Sequence, residues 1–287
     1  MQFDFFNSAP KDTSKEQIHP VVEHAYSLAA KVLKEGAIDI NEFADLYDPK
    51  NIERDLEIVR RKEVGFAHES HKVYSEVLEA VLYKQIDDGP WFGNNTRAVK
   101  TSSFDDYKNG SDIILELVET TKTLSHLSLS VDVTFGITTE MDKFLRIKEH
   151  IDKGTLGKIS YFKSERANFR GELSQIPEVV IGVEKDLVIK LADLWAGEGP
   201  HKDTNKKTLD AHPVQRLIMA EILLQLHTFR TYAKNTGKQT LVPIYEKDIQ
   251  ILEEILREQG PMDIGELRDD KVFVAIRETL AIFKPKK

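Results

Sequence analysis

The chain contains no cysteine in its 287 residues. That excludes disulfides, thiolate zinc sites and a cysteine nucleophile, and it fits a reducing, cytoplasmic setting. Long apolar runs are missing too: no segment approaches the roughly 18 consecutive apolar residues of a membrane span, so no membrane partner is expected. The opening MQFDFFNSAPKDTSKEQ has no basic start followed by a sustained apolar stretch, and no secretory signal is expected there. With only 15 Gly and 10 Pro, there is little room for a long disordered linker. Positive charge is in deficit, 40 Lys and Arg against 48 Asp and Glu, for a net charge of −8. Such a chain does not coat nucleic acid by bulk electrostatics, although a local basic groove beside an acidic site stays open. No Gly-rich phosphate loop, GxSxG elbow or HExxH occurs, which removes kinase, P-loop, α/β-hydrolase and zincin readings.

What is present is an ordinary globular composition, 40% apolar and 31% charged, in a chain long enough for one large domain or a core with additions. From Ser14 to Gly36 the apolar residues recur at three and four, which predicts an amphipathic helix. Two charged helical stretches follow, Asn41–Leu46 and Asn51–Lys62. Residues 1–66 therefore read as an N-terminal helical extension. A helix over Glu69–Ile86 closes at Asp87-Asp88-Gly89-Pro90 and is followed by three predicted strands, Thr96–Ser103, Asp112–Val118 and Leu127–Phe135. In the last, LSLSVDVTF alternates strictly with period two. Next come a helix over Thr139–Lys153, a fourth strand near Lys158–Lys163, a fifth over Ile176–Val183 and a helix over Glu184–Trp195. Residues 67–200 thus form an α/β (α+β) core, a central mixed sheet of four to five strands flanked by helices. After a predicted loop, Ala196–Asp210, residues 201–287 read as a C-terminal helical region. Its apolar stripe follows a first-turn Pro213, a second helix spans Glu246–Gln259, and the tail is helical.

The chemistry centres on the two strands Asp112–Val118 and Leu127–Phe135. Paired antiparallel about the intervening loop, their facing residue numbers sum to 244–246, which sets Asp112 opposite Asp132 or Thr134. Opposed Cβ atoms lie about 4.5–5.5 Å apart. Two carboxylates so placed repel unless a cation or proton lies between them. A hard divalent ion, Mg²⁺ or Mn²⁺, suits Asp112 and Asp132 as ligands, keeps waters for a substrate phosphate, and points to phosphodiester hydrolysis.

The segments FDDYKNGSDIILEL and LSLSVDVTFG, with the order of elements over roughly residues 68–165, resemble the PD-(D/E)XK nuclease-like superfamily. The resemblance implies a metal-dependent nuclease with Asp112 and Asp132 as its acidic residues and a Glu from the preceding helix, where SEVLEAVL offers Glu76 and Glu79. Nucleic acid, DNA ahead of RNA, is then the expected partner. The family pattern has a lysine two residues after the second acid, and here that position is Thr134. A threonine hydroxyl cannot supply the positive charge. Helical geometry offers Lys148, which projects between Phe144, Ile147 and Ile151, whereas Lys143 projects to the side. Lys100 and Lys163 are lesser candidates.

Simpler readings stand beside these. Strand-end aspartates are common turn residues, and Asp105 and Asp106 read as hairpin-turn chemistry. Surface glutamates favour helices, and a lysine on an apolar face often snorkels. Glu116 is a reserve ligand. His68 and His71 lack a third ligand of familiar spacing. The alternative to a nuclease is an inactive nuclease-like fold that binds nucleic acid or protein, with the terminal helices as a surface for a protein partner or a second copy.

Overall fold

The structure is a computed structural model, and it describes residues 17–65, 70–118, 124–132, 137–197, 199–260 and 263–284. In chain order the elements are α1 (Pro20–Gly36), α2 (Pro49–Gly65), α3 (Ser70–Asp87), β1 (Thr96–Lys100), α4 (Ser103–Asn109), β2 (Ile113–Val118), β3 (Leu124–Asp132), α5 (Ile137–Lys153), β4 (Gly157–Ser164), β5 (Phe169–Ile176), β6 (Glu178–Gly182), α6 (Lys185–Ala196), α7 (Lys202–Asp210), α8 (Val214–Asn235), α9 (Val242–Gln259) and α10 (Lys271–Thr279). A short 3-10 helix, Ile40–Phe43, joins α1 to α2. The protein is a mixed α+β fold, as expected.

The central sheet has the order β1-β2-β3-β6. The first three strands are antiparallel neighbours, and β6 runs parallel to β3. Parallel neighbours need a crossover, which α5 and the β4–β5 hairpin provide. One face of the sheet carries Ala98, Ile113, Leu115, Leu117, Leu127 and Leu129 into the main core, with Val77, Leu78 and Val81 of α3. The other face carries Ile114 against Ile159, Phe162 and Ile176 of the hairpin.

The terminal helices share the main core. α1 is amphipathic because Val22, Ala25, Ala29 and Leu33 repeat at three and four, and all four are buried there. α8 contributes Leu217, Ile218, Ile222 and Leu226, and α9 contributes Ile249 and Leu252. α8 also closes the open edge of β6. The Gln225 side chain accepts from Val180 N at 2.8 Å and donates to Val180 O at 2.6 Å, and Glu221 accepts from Gly182 N. Polar side chains here replace a neighbouring strand.

Several local expectations change. The segment over Lys158–Lys163 is not part of the central sheet: β4 pairs only with β5, and β5 fills what reads from sequence as loop. The predicted loop Ala196–Asp210 contains α7, whose Leu209 is buried and whose Leu209 carbonyl accepts from the Trp91 indole N–H. The first strand ends at Lys100, because Ser102 caps α4 by accepting from Asp105 N, and Gly110 ends that helix with φ 64°.

The β2–β3 register also differs from expectation. Ile113 lies opposite Leu129 and Val118 opposite Leu124, so facing numbers sum to 242 rather than 244–246. β3 also starts earlier than its alternation suggests, and α9 meets it there. Lys247 Nζ donates to Leu124 O at 2.9 Å and Ser125 Oγ donates to Asp248.

Candidate acidic site

β2 begins beside the middle of β3, and Asp112 immediately precedes it. The Asp112 N–H donates to Leu129 O at 2.9 Å, and its carboxylate accepts from Val131 N at 2.7 Å. Asp112 therefore lies against Leu129–Val131 and is not set opposite Asp132 by the strand register. Asp132 ends β3 opposite Gly182 of β6. Its side chain, like the whole of Thr134, is outside the described residues.

Around Asp112 the fold gathers a compact ionic cluster. Lys100, at the end of β1, is 6% exposed. Its ammonium lies 2.9 Å from Glu79 Oε1 of α3 and 3.4 Å from Asp106 Oδ2 of α4, and it donates to the Asp112 carbonyl at 3.1 Å. Asp106 and Asp112 lie close enough for each to act on the other's titration. Two carboxylates and one backbone carbonyl thus share one buried ammonium. Burial pushes Glu79 up to about 7 against the opposing pull of Lys100, with the Asp112 charge adding to the rise. Burial also raises Asp112 to about 7, helped by Asp106 and opposed by Lys100 and Lys143. Asp106 is raised by burial first, again against Lys100. Lys100 is driven up by its carboxylate neighbours despite strong desolvation.

This cluster separates the two glutamates of α3. Glu79 faces Lys100, whereas Glu76 pairs with Lys72 at 3.5 Å, although both line the same cavity. Lys148 does not serve the site. Its ammonium is held by Asp152 at 2.7 Å and lies 4.8 Å from the centre of the Tyr232 ring, so its apolar-face position reflects local cover. Lys163 pairs with Glu42, and Glu116 lies 3.5 Å from His126 across the β2–β3 pair. Asp105 is structural, accepting from Ser160 N, Tyr161 N, Ser102 Oγ and Asn109 Nδ2. His68 lies outside the described residues.

Sequence reading undervalued Lys100 and Asp106, and a signal for the first exists. Lys100 shares the inward parity of Ala98 on β1, and Glu79 interrupts VLEAVL, an apolar run that goes all the way round its helix. An inward lysine and a buried glutamate on adjacent elements each need a partner. Asp106 has no such signal, because DDYKNG reads equally well as a turn.

Among the described residues, no three His, Asp or Glu side chains are grouped as a complete metal cage. Mg²⁺ needs only one or two carboxylates. The hard oxygen donors at Asp112 and Asp106 are of the kind such an ion takes. Comparison with protein-family models, with curated proteins and with solved structures finds no match.

Proposed function

We propose that the protein is a metal-dependent phosphodiesterase of the nuclease type, acting on nucleic acid at the Glu79–Lys100–Asp106–Asp112 cluster. The observation that carries this reading is the buried Glu79–Lys100 pair with the half-buried Asp106 and Asp112 beside it, at the end of the sheet where β3 ends on Asp132. The order α3, three antiparallel strands, α5 and a strand parallel to the third supports the resemblance to PD-(D/E)XK nucleases. In this reading Asp112 and Asp106, with Asp132 at the same end of the sheet, would hold Mg²⁺ or Mn²⁺. A bound ion supplies charge neutralisation and a more acidic water. Lys100 provides the positive charge that Thr134 cannot, arriving from β1 rather than from β3, and it stabilises negative charge building on the phosphate. Glu79 orients Lys100 and takes or returns a proton.

A second reading, an inactive nuclease-like binding module, draws on one feature. Lys100 already neutralises part of the cluster from within, as a structural ion pair does.

Cleavage of labelled single- and double-stranded DNA and RNA in Mg²⁺, Mn²⁺ and EDTA separates the two. Wild type is compared with Asp112→Asn, Asp132→Ala and Lys100→Met, each checked for folding by circular dichroism. Cutting that needs metal and falls by roughly 10²-fold or more in folded variants supports the nuclease. A folded wild type that binds but never cuts selects the binding module.

A further inference from the structure

A cavity of about 410 Å³ is built from elements that take no part in the acidic cluster, and it shares no lining residue with the cavity there. One wall is a single face of α8, where Leu224, His227, Thr228, Thr231 and Asn235 recur at helical spacing. The other is the last turn of α10, with Arg277, and the 3-10 helix that follows it, Leu280–Phe283. That wall is held by packing. Leu280 and Phe283 are buried, and the Phe283 ring centre lies 4.7 Å from that of Phe229 and 5.4 Å from that of Tyr232. The charged part of the lining has one sign. Arg277 and Lys284 are both exposed, and among the described residues of the lining there is no aspartate or glutamate. Neither cation has an ion-pair or hydrogen-bond partner for its side chain among the described residues. His227 is turned to Glu253 at 3.4 Å and adds nothing to that balance. The Thr228 and Thr231 hydroxyls already donate to Leu224 O and His227 O, so the donors open to a ligand are those of Arg277, Lys284 and the Asn235 amide.

We propose that this cavity binds a small organic acid, a carboxylate on an apolar body, with the carboxylate at Arg277 and Lys284 and the body against Leu224, Leu280 and Phe283. The lining asks for both halves of that ligand. A fully hydrophilic anion leaves the apolar side chains without a partner, whereas an uncharged apolar molecule leaves two cations without a counter-charge. The planar guanidinium of Arg277 matches a carboxylate through two parallel hydrogen bonds. A mostly apolar concavity with a few convergent polar groups, within about 300–1,000 Å³, is the usual build of a small-molecule site. The proposal is independent of the nuclease reading, because the two places have no residue in common.

The test uses the full chain with octanoate, its uncharged counterpart 1-octanol and inorganic phosphate, read by the methyl NMR signals of Leu224 and Leu280. Octanoate should shift both signals saturably, and octanol should bind about tenfold more weakly or worse, the loss expected when a charge-assisted hydrogen bond goes unmade. Phosphate should not displace octanoate. Arg277→Gln with Lys284→Gln, both at exposed positions, should weaken octanoate by about tenfold or more and leave octanol unchanged. Ala281→Phe, also at an exposed position of the lining, should block both ligands with the two cations in place. Each variant is checked for folding by circular dichroism. Equal binding of octanoate and octanol by wild type, or unchanged octanoate affinity in the folded double variant, overturns the carboxylate assignment. Displacement by phosphate overturns the apolar half of it. No saturable shift at Leu224 and Leu280 up to about 10 mM octanoate, weaker than any useful site, overturns the proposal as a whole.

Discussion

At the scale of the residue, the determining feature is a lysine that cannot be removed alone. Breaking a buried pair by deleting one partner typically costs about 3–5 kcal/mol, because the remaining charge is left without compensation. Lys100→Met leaves Glu79, Asp106 and Asp112 in mutual repulsion, so a loss of that order is expected in urea unfolding at pH 8. The loss should shrink toward pH 5, where the carboxyls take protons and no longer need the ammonium. Adding Glu79→Gln to Lys100→Met should cost less than the sum of the two single changes, since the pair is the interaction being removed. Strict additivity in that double-mutant cycle would show that the 2.9 Å pair contributes nothing.

At the scale of the element, edge protection decides whether the sheet is complete. β6 has β3 on one side and side chains of α8 on the other, and one Gln225 amide serves both polar groups of Val180. Gln225→Leu keeps the volume and leaves a buried N–H and C=O unpaired, at about 1–3 kcal/mol each. The expected result is a fall of about 2–6 kcal/mol in unfolding free energy, with the Val180 amide losing hydrogen-exchange protection. An unchanged exchange rate at Val180 would mean that the edge is closed by something other than this amide. Much of this level was legible in the sequence. The amphipathic period located α1, α8 and α9, and strict alternation located β3. What was not legible is pairing. β4 has the same local pattern as a central strand, but its partner is β5, and nothing in residues 157–164 encodes that choice. The β2–β3 register was missed for a related reason. Lys247 and Asp248, over a hundred residues downstream, hydrogen-bond the first residues of β3, a contact that the strands' own sequence does not encode. Of the residues read from sequence, Asp112 and Glu79 fall in the ionic cluster, whereas Glu76 pairs with Lys72. Helix-face geometry puts Lys148 on an apolar stripe without revealing that Asp152 and Tyr232 hold it there, and that Lys100 is the lysine that joins the cluster.

At the scale of the whole molecule, α1, α8 and α9 share one main core with the sheet, so a change where α9 meets β3 is read in global unfolding. Asp248 sits at that junction, fully buried, accepting from Ser125, and burial holds its carboxyl up to about 7 against the opposing effects of Ser125 and Lys247. In the unfolded chain an aspartate titrates near about 3.9. Between those values the folded state holds a proton that the unfolded state releases, so stability is greatest below the unfolded pKa and is lost as pH rises through the folded one. One such group contributes a slope of about −1.4 kcal/mol per pH unit in that interval, on the order of 4 kcal/mol in all. Asp248→Asn keeps an acceptor for Ser125 and has no charge to desolvate. Urea unfolding of both proteins from pH 4.5 to 8 should show the variant declining less steeply, by about that single-proton slope. The variant should also match or exceed wild type at pH 8. Parallel curves across the whole range would mean that Asp248 titrates alike in the folded and unfolded chains and that its burial is relieved on opening by water.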